Sequence, residues 1–344
     1  MHNLDLMKQI ELSNSSKESL TTSDFPYEKA LVTGGAGFIG SHIIEELLNR
    51  GMKVISIDNY LAGKRENLKG FLNNPNFQEV NCDVTDYDSL KMYMPGVDII
   101  FHEAASKKTV CLKDPRKDLE INAKGTFNIL ELARKYEVKK VVHASTGSVY
   151  GEAKYIPQDE NHPLSPTSYY GVSKLAGEKY AMLFNHLYGL NSTVLRYFHV
   201  YGPRQEYSDV GGVVSIFARR AIKDQPLVIF GDGTQQRSFT FVKDVVAANI
   251  LVAMKSRTKG ECYNCASGIN VTINELAQNI LTLLGKKDIS IEYQDWTPGD
   301  IKVFNVSNKK LKDLGFNFDT NFKEGLEATV QWMKNYFSSE RGMN

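Results

Sequence analysis

The chain has 344 residues, more than one hydrophobic core usually spans, so two closely packed domains are expected. A net charge of +1 at pH 7 gives no electrostatic basis for binding nucleic acid or an anionic membrane, and no apolar run reaches the roughly 18 residues that a membrane helix needs. Four scattered cysteines favour a reducing, cytoplasmic environment over a disulfide scaffold. We therefore expect small-molecule partners.

Residues 1–28 precede the first predicted strand as an N-terminal tail. Met1 to Phe25 are rich in Ser, Thr, Lys and Glu and contain no apolar segment of the kind that directs secretion. The sequence leaves open whether a short docking helix forms near the start of the tail.

A glycine-rich turn joins the first predicted strand to the first predicted helix. Lys29 to Thr33 form a short apolar run, and the residues from Ile39 onward repeat at helical spacing until Gly51. Gly34 permits the tight turn, Gly37 lets the backbone approach a pyrophosphate, and the third glycine, at 40, lets helix and strand pack. The free amides at the helix start then face an anion.

The second predicted strand, Lys53 to Ile57, ends at an acidic residue. Asp58 stands where a carboxylate can accept hydrogen bonds from both ribose hydroxyls of a dinucleotide. This placement favours NAD over NADP, although Lys64 and Arg65 lie close by.

Strands and helices alternate along the rest of the N-terminal half. Further strands are predicted at 76–84, 97–101, 140–144 and 192–197, and helices at 87–94, 119–136, 213–223 and from 242. The alternation predicts an α/β fold with a Rossmann-like, doubly wound parallel sheet, whose ligands bind outside the carboxyl ends of the strands.

Tyr170 and Lys174 lie one turn apart on a helix predicted to begin at Ser168. A tyrosine hydroxyl titrates near pH 10, so it acts as a base at neutral pH only if nearby positive charge stabilises its phenolate. Lys174 and the nicotinium ring of bound NAD+ would supply that charge. A hydroxyl from Thr146 or Ser145, after the fifth strand, would share the proton.

Cys262 and Cys265 form a CxxC pair inside a run that resembles a strand. No second cysteine or histidine pair in the sequence completes a zinc site with them, so we interpret them as structural and expect no metal.

Five motifs occur in a fixed order: TGGAGFIGS, HEAAS, ASTGSVYG, SYYGVSK and RYFHVYGPRQ. With them the chain resembles the extended short-chain dehydrogenases/reductases, in particular the NAD-dependent sugar-nucleotide epimerases and dehydratases, most closely the UDP-galactose 4-epimerases. The resemblance covers residues 29–337. It implies an NAD-binding domain at 29–197 with 239–267, and a smaller C-terminal α/β domain at 198–238 with 268–337 that binds a nucleoside-diphosphate sugar.

The resemblance also implies roles for single residues. Tyr170 would be the base, Lys174 would hold the nicotinamide ribose, and Thr146 would lie beside the sugar. Asp83 would contact adenine, while Asn122 would have a structural or cofactor-side role. The other implied cofactor residues are Gly34, Gly37, Phe38, Ile39, Asp58, Asn59, Val84, Ala104, Ala105 and Lys107.

In the substrate half, Arg237 resembles a diphosphate clamp and Phe230 the aromatic residue near the pyrimidine. Two departures from the 4-epimerases are His199, in place of an asparagine, and Thr297, in place of an arginine; Lys302 is the candidate to compensate. The other implied substrate residues are Ser145, Ser148, Phe198, His199, Val213, Asp300 and Phe304.

The residues after Thr146 bear on the reaction. Dehydratases and decarboxylases of this family place acids there, since elimination needs a further acid or base, whereas this chain has Gly147 and Ser148. The sequence thus favours a 4-epimerase, with hydride passing to NAD and back. A bulky Phe304 favours UDP-glucose and UDP-galactose over UDP-N-acetylhexosamines or UDP-glucuronate.

Two other classes remain open, an NADP-linked ketoreductase and a nonenzymatic NAD-binding regulator. The resemblance further implies a homodimer built from the helices at 119–136 and 168–187.

Overall fold

The computed structural model describes residues 25–106, 112–209, 211–296 and 305–341. Most of the predicted N-terminal tail, the cofactor residue Lys107 and the late loop with Thr297, Asp300, Lys302 and Phe304 lie outside these residues. In the described ranges, no helix is long and apolar enough to cross a membrane.

The strands are short and mostly buried. They are β1 (Lys29–Thr33), β2 (Lys53–Asp58), β3 (Phe77–Asn81), β4 (Ile99–His102), β5 (Lys140–Thr146), β6 (Ser192–Tyr197), β7 (Val200–Tyr201), β8 (Leu227–Phe230), β9 (Gln236–Ser238), β10 (Thr240–Phe241), β11 (Glu261–Cys265), β12 (Asn270–Thr272) and β13 (Ile291–Gln294).

The helices alternate with these strands through most of the chain. They are α1 (Phe38–Asn49), α2 (Tyr87–Lys91), α3 (Pro115–Leu119), α4 (Thr126–Lys135), α5 (Tyr169–Tyr188), α6 (Val213–Ile222), α7 (Val242–Met254), α8 (Ile273–Leu284), α9 (Lys309–Lys312) and α10 (Phe322–Arg341). A π-helical turn, Glu120–Gly125, joins α3 to α4, so the predicted single helix at 119–136 is interrupted.

Seven of the strands form one sheet in the order β3-β2-β1-β4-β5-β6-β11. Every neighbouring pair in it is parallel. The strand order reverses between β1 and β4, which is the switch point where such sheets bind ligands. The predicted Rossmann-like α/β fold is confirmed.

Apolar cores fill both faces of the sheet. On one face α1 and α7 pack over residues such as Val32 and Phe101, and on the other α4 and α5 pack over Leu31 and Ile100. Successive residues of β1 and β4 therefore face opposite cores, as strand geometry requires. A third core joins α6, α8 and α10 in the C-terminal half. The predicted domain limits remain a prediction.

The two cysteines of the CxxC pair lie on opposite faces of β11. Cys262 packs in the core beneath α5, whereas Cys265 packs in the core beneath α7. Residues three apart in a strand face opposite sides, so these thiols cannot bind one metal ion together.

Candidate active site

A cavity of about 660 Å³ lies at the carboxyl edge of the sheet, beside the switch point. The segments that follow β1, β2, β3 and β4 line it, together with residues 204–206 and 211–212. The predicted residues that it brings together are Gly34, Gly37, Phe38, Ile39, Asp58, Asn59, Val84, Ala104, Ala105, Tyr170 and His199.

The glycine turn between β1 and α1 lines the cavity. Gly34 has a φ of +66°, and a Cβ there would lie 2.8 Å from the amide nitrogen of Ala104. A Cβ at Gly37 would lie 2.9 Å from the carbonyl oxygen of Gly34. Gly37 is also the N-cap of α1 and, having no side chain, makes no side-chain cap, so the first amides of the helix are available to an anion. This turn fits a dinucleotide pyrophosphate.

Asp58 ends β2 and lines the cavity beside the glycine turn. Its carboxylate accepts hydrogen bonds from the amides of Ala36, at 3.0 Å, and Tyr60, at 2.8 Å. Burial raises the pKa of Asp58, and the two amide donors oppose that rise. A Cβ at Gly63 would lie 2.6 Å from Asp58 Oδ2, so the chain folds tightly over the carboxylate.

The sequence predicted no cofactor or substrate contact for residues 61–67, although Lys64 and Arg65 were noted near Asp58. Leu61, Ala62, Gly63, Lys64 and Asn67 all line the cavity. Lys64 reaches across to Glu206, at 3.7 Å, and its ammonium lies 3.9 Å from the ring centre of Tyr207. The sequence signal for this loop is Gly63, because a glycine at this position lets the chain pass close to the carboxylate of Asp58.

Asp83 does not line the cavity but forms a hydrogen bond with a residue that does. Its carboxylate accepts hydrogen bonds from Asn59 Nδ2, at 2.7 Å, and from the amide of Thr85, at 2.8 Å. Asn59 and Val84 line the cavity, whereas Asp83 does not. In this structure Asp83 therefore orients Asn59.

Tyr170 and Lys174 both come from the first turns of α5. Ser168 caps this helix by accepting a hydrogen bond from the amide of Gly171, at 3.1 Å. Tyr170 is partly exposed and lines the cavity, while Lys174 is only 2% exposed. Burial lowers the pKa of Lys174 to about 8, against the opposing charges of Glu103, Glu178 and Asp118.

Thr146 ends β5 and is partly exposed. It accepts a hydrogen bond from the amide of Ser148, at 3.2 Å, and lies 3.3 Å from the Ser148 hydroxyl. Ser145, the alternative proton partner, is buried and donates to Glu178 Oε1 at 2.5 Å. Of the two residues, only Thr146 is partly exposed to solvent, which favours it as the proton partner.

The ring of Phe198 occupies the space beside Gly147. A Cβ at Gly147 would overlap ring atoms of Phe198, which is buried and stacks 6.2 Å from Tyr150. Any larger residue at 147, acidic ones included, would have to displace this ring.

Replacement of Gly147 by alanine is expected to lower the free energy of unfolding by about 1–3 kcal/mol, as overpacking does in other cores. Urea denaturation measures the effect. Gly70→Ala is the matched control, since a Cβ there meets no atom within 4 Å. Adding Phe198→Leu should recover part of the loss, and an unperturbed Gly147→Ala protein would contradict the packing argument.

Asn122 lies in the π-helical turn and binds two segments at once. Its Oδ1 accepts from the amide of Ser106, at 2.9 Å, and its Nδ2 donates to Ser173, at 2.9 Å. Ser106 follows Ala105 on the cavity wall, and Ser173 precedes Lys174. Asn122 thus fixes the wall of the cavity relative to α5.

Three of the predicted substrate residues lie in the C-terminal half and do not line this cavity. Phe230 ends β8 and is 48% exposed, Arg237 is buried in β9, and Val213 begins α6 beside the cavity residue Gly212. His199, with a φ of 33°, lies 6.0 Å from the ring of Phe239.

Comparisons with known proteins agree with this geometry. A provisionally named UDP-glucose 4-epimerase of Methanocaldococcus jannaschii is 42% identical over 89% of this chain and 98% of its own length. The UDP-glucose 4-epimerase of Thermus thermophilus, solved with NAD, superposes with a TM-score of 0.82 at 35% identity, over 89% of this chain and 99% of that one. A UDP-N-acetylglucosamine 4-epimerase of Methanobrevibacter ruminantium, solved with UDP-N-acetylmuramic acid, gives 0.86 at 35% identity, over 90% and 99%.

A family model also matches the part of the chain that forms the candidate site. It covers residues 30–266, which contain the glycine turn, Thr146, Tyr170 and Lys174. The chain belongs to the NAD dependent epimerase/dehydratase family.

Proposed function

We propose that the protein is an NAD-dependent 4-epimerase of a UDP-hexose, with UDP-glucose and UDP-galactose as its substrates. The observation that carries the proposal is the placement of Tyr170 in the wall of a dinucleotide cavity, with buried Lys174 one turn behind it. The packing of Gly147 against Phe198 supports the absence of an elimination step, because it leaves no room for an acidic side chain at position 147.

Bound NAD supplies a reversible hydride acceptor. Tyr170 takes the proton of the sugar C4 hydroxyl, Thr146 shares that proton, and Lys174 stabilises the phenolate by its charge. After the 4-keto sugar has rotated in the pocket, C4 takes the hydride back on its other face, and Tyr170 returns the proton to the C4 oxygen. Phe230 and Arg237 are proposed to hold the nucleotide, since a guanidinium binds phosphate oxygens bidentately.

Proton NMR of the purified protein with UDP-glucose tests the proposal, with UDP-N-acetylglucosamine and UDP-glucuronate in separate tubes and no added cofactor. Appearance of the C4 epimer only with UDP-glucose is the expected result. The solved relative that acts on UDP-N-acetylglucosamine favours that sugar as the second candidate. Three unchanged substrates, even with NAD supplied, would overturn the 4-epimerase proposal.

We also propose that the protein is a homodimer through α4 and α5. Both helices expose apolar side chains on one side: Phe127 and Tyr180, whose rings lie 5.3 Å apart, together with Leu183 and Leu187. Exposed apolar surface of this kind is typical of interfaces.

Introducing a charge at Leu183 is expected to convert the dimer to a monomer, because burying an unpaired carboxylate opposes association. Light scattering after gel filtration of Leu183→Glu measures the mass. Met92→Glu is the control, since Met92 is 74% exposed just after α2 and lies on neither of these helices. Equal masses for the two variants would contradict the proposed interface.

A further inference from the structure

A buried histidine ends β4, two residues before the cavity residue Ala104. His102 is 1% exposed, and each of its ring nitrogens contacts one hydroxyl. Thr33 Oγ1, at the end of β1, lies 2.7 Å from Nδ1, and Thr126 Oγ1, at the start of α4, lies 2.9 Å from Nε2. Three elements of the fold therefore meet at this ring.

Each of the two hydroxyls also has a second partner. Thr33 Oγ1 accepts a hydrogen bond from the amide of Ala104, at 3.2 Å. Thr126 Oγ1 donates to the carbonyl oxygen of Asn122, at 2.6 Å. Because a hydroxyl carries a single proton, Thr33 keeps its proton for the ring, whereas Thr126 offers the ring only a lone pair.

These contacts assign the tautomer of His102. A ring protonated at Nε2 alone donates to Thr126 and accepts from Thr33, and all four hydrogen bonds are formed. A ring protonated at Nδ1 alone leaves the Thr33 hydroxyl without an acceptor among the described residues, and Thr126 then cannot serve both the ring and Asn122. Burial lowers the pKa of His102 to about 3, in agreement with a neutral ring at pH 7.

The chain of hydrogen bonds ends at both sides of one cavity segment. Residues 104–106, which we call the cavity wall, all line the cavity. Thr33 holds the amide of Ala104 at one end of the wall, and the side chain of Asn122 holds the amide of Ser106, at 2.9 Å, at the other. The histidine ring connects these two anchors.

The anchors are also in close contact with the glycine turn and with α5. A Cβ at Gly34, the residue after Thr33, would lie 2.8 Å from the amide nitrogen of Ala104. A Cβ at Gly177, near the middle of α5, would lie 3.2 Å from the carbonyl oxygen of Asn122. The glycine turn and the helix that carries the proposed base therefore pack directly on the residues that the ring connects.

We propose that His102 is a positioning residue of the cofactor site. As the neutral tautomer protonated at Nε2, it holds both ends of the cavity wall against the glycine turn and so contributes to the affinity for NAD. The proposal concerns the binding of the cofactor and does not depend on which sugar the protein epimerises.

The tautomer is tested by NMR of protein labelled with 15N-histidine at pH 7. Long-range correlations between ring protons and ring nitrogens report which nitrogen is protonated, and the ring is assigned through bonds from its own backbone amide. His102 is expected to show a protonated Nε2 and an unprotonated Nδ1. A ring protonated at Nδ1, alone or together with Nε2, would overturn the inference.

The effect on the cofactor is tested with Thr33→Val and Thr126→Val. Each substitution removes one hydroxyl next to the ring and breaks the chain of hydrogen bonds on one side. The dissociation constant of NAD, measured by equilibrium dialysis against labelled NAD, is expected to rise by about fivefold in each variant, as loss of a single hydrogen bond implies.

Thr329→Val is the matched control. Thr329 is fully buried in α10, and its hydroxyl donates to the carbonyl oxygen of Gly325, four residues earlier, at 2.7 Å, as that of Thr126 does to Asn122. It does not line the cavity. The control should lose stability towards urea, as Thr126→Val does, and keep the parent affinity for NAD.

Parent affinity for NAD in both Thr33→Val and Thr126→Val would overturn the inference, even if both proteins were less stable, because the chain would then have only a structural role. An equal loss of affinity in Thr329→Val would overturn it too, since the effect would then be general destabilisation. The expected affinities in a protein that epimerises none of the UDP-sugars would refute the proposed function and support the role of His102.

Discussion

Tyr170→Phe is expected to reduce epimerisation by about 10³-fold, because a positioned acid–base group contributes on the order of 10²–10⁴ to a rate. Tyr170 lines the cavity with a partly exposed side chain, and phenylalanine keeps the ring while it removes the hydroxyl. NAD binding should persist, since the glycine turn and Asp58 lie on other segments. NMR turnover gives the rate, and cofactor released on denaturation gives the NAD content.

The neighbouring Tyr169 provides the control. It is 61% exposed at the first position of α5 and does not line the cavity, so Tyr169→Phe should keep its rate within about twofold of the parent. Full activity in Tyr170→Phe, or a greater loss in Tyr169→Phe than in Tyr170→Phe, would remove Tyr170 from the proposed chemistry. Loss of bound NAD in Tyr170→Phe would show that the hydroxyl has a binding role instead.

The features that the sequence predicted well are local. The strand at 29–33, the glycine turn and the helix after it are specified within about twenty residues by apolar spacing and by positions that exclude a Cβ. The same holds for the start of α5, where Ser168 is both the predicted first residue and the observed cap. Features that depend on such local patterns can be predicted without knowledge of the tertiary structure.

The helix predicted at 119–136 shows the limit of periodicity. Its apolar spacing is helical throughout, but the structure widens into a π turn at Glu120–Gly125. There Asn122 binds both Ser106 and Ser173, and a Cβ at Gly125 would lie 2.7 Å from Val84. Contacts with three distant segments thus set the backbone, and π turns commonly occur at such functional places.

Glu103 illustrates what sequence reasoning could not supply. In the HEAAS motif it stood beside the predicted cofactor residues Ala104 and Ala105, without a role of its own. Its hydrogen-bond partner, Tyr197, lies 94 residues away in the chain. Only the assembled sheet brings the carboxylate of Glu103 to this hydroxyl and into the lining of the cavity.

Glu178→Leu is expected to cost about 3–5 kcal/mol of unfolding free energy, the range observed when one member of a buried ion pair is removed. Glu178 and Arg196 are 3% and 5% exposed, so the substitution leaves a guanidinium in the core whose described polar contact is the Tyr150 hydroxyl, at 2.6 Å. Ser145 loses its acceptor as well. Guanidinium chloride denaturation, followed by circular dichroism, measures the change.

The double variant Glu178→Leu/Arg196→Met separates the charge from the packing. It removes the stranded guanidinium and should recover most of the lost stability, since well-packed apolar replacements of buried pairs are often neutral or stabilising. Asp313→Asn is the exposed control: its pair with Lys309, at 2.7 Å, is solvent-exposed on both sides and should contribute under about 1 kcal/mol. If the double variant were no more stable than Glu178→Leu, the loss would come from packing around α5 and β6, and the uncompensated charge would not be its cause.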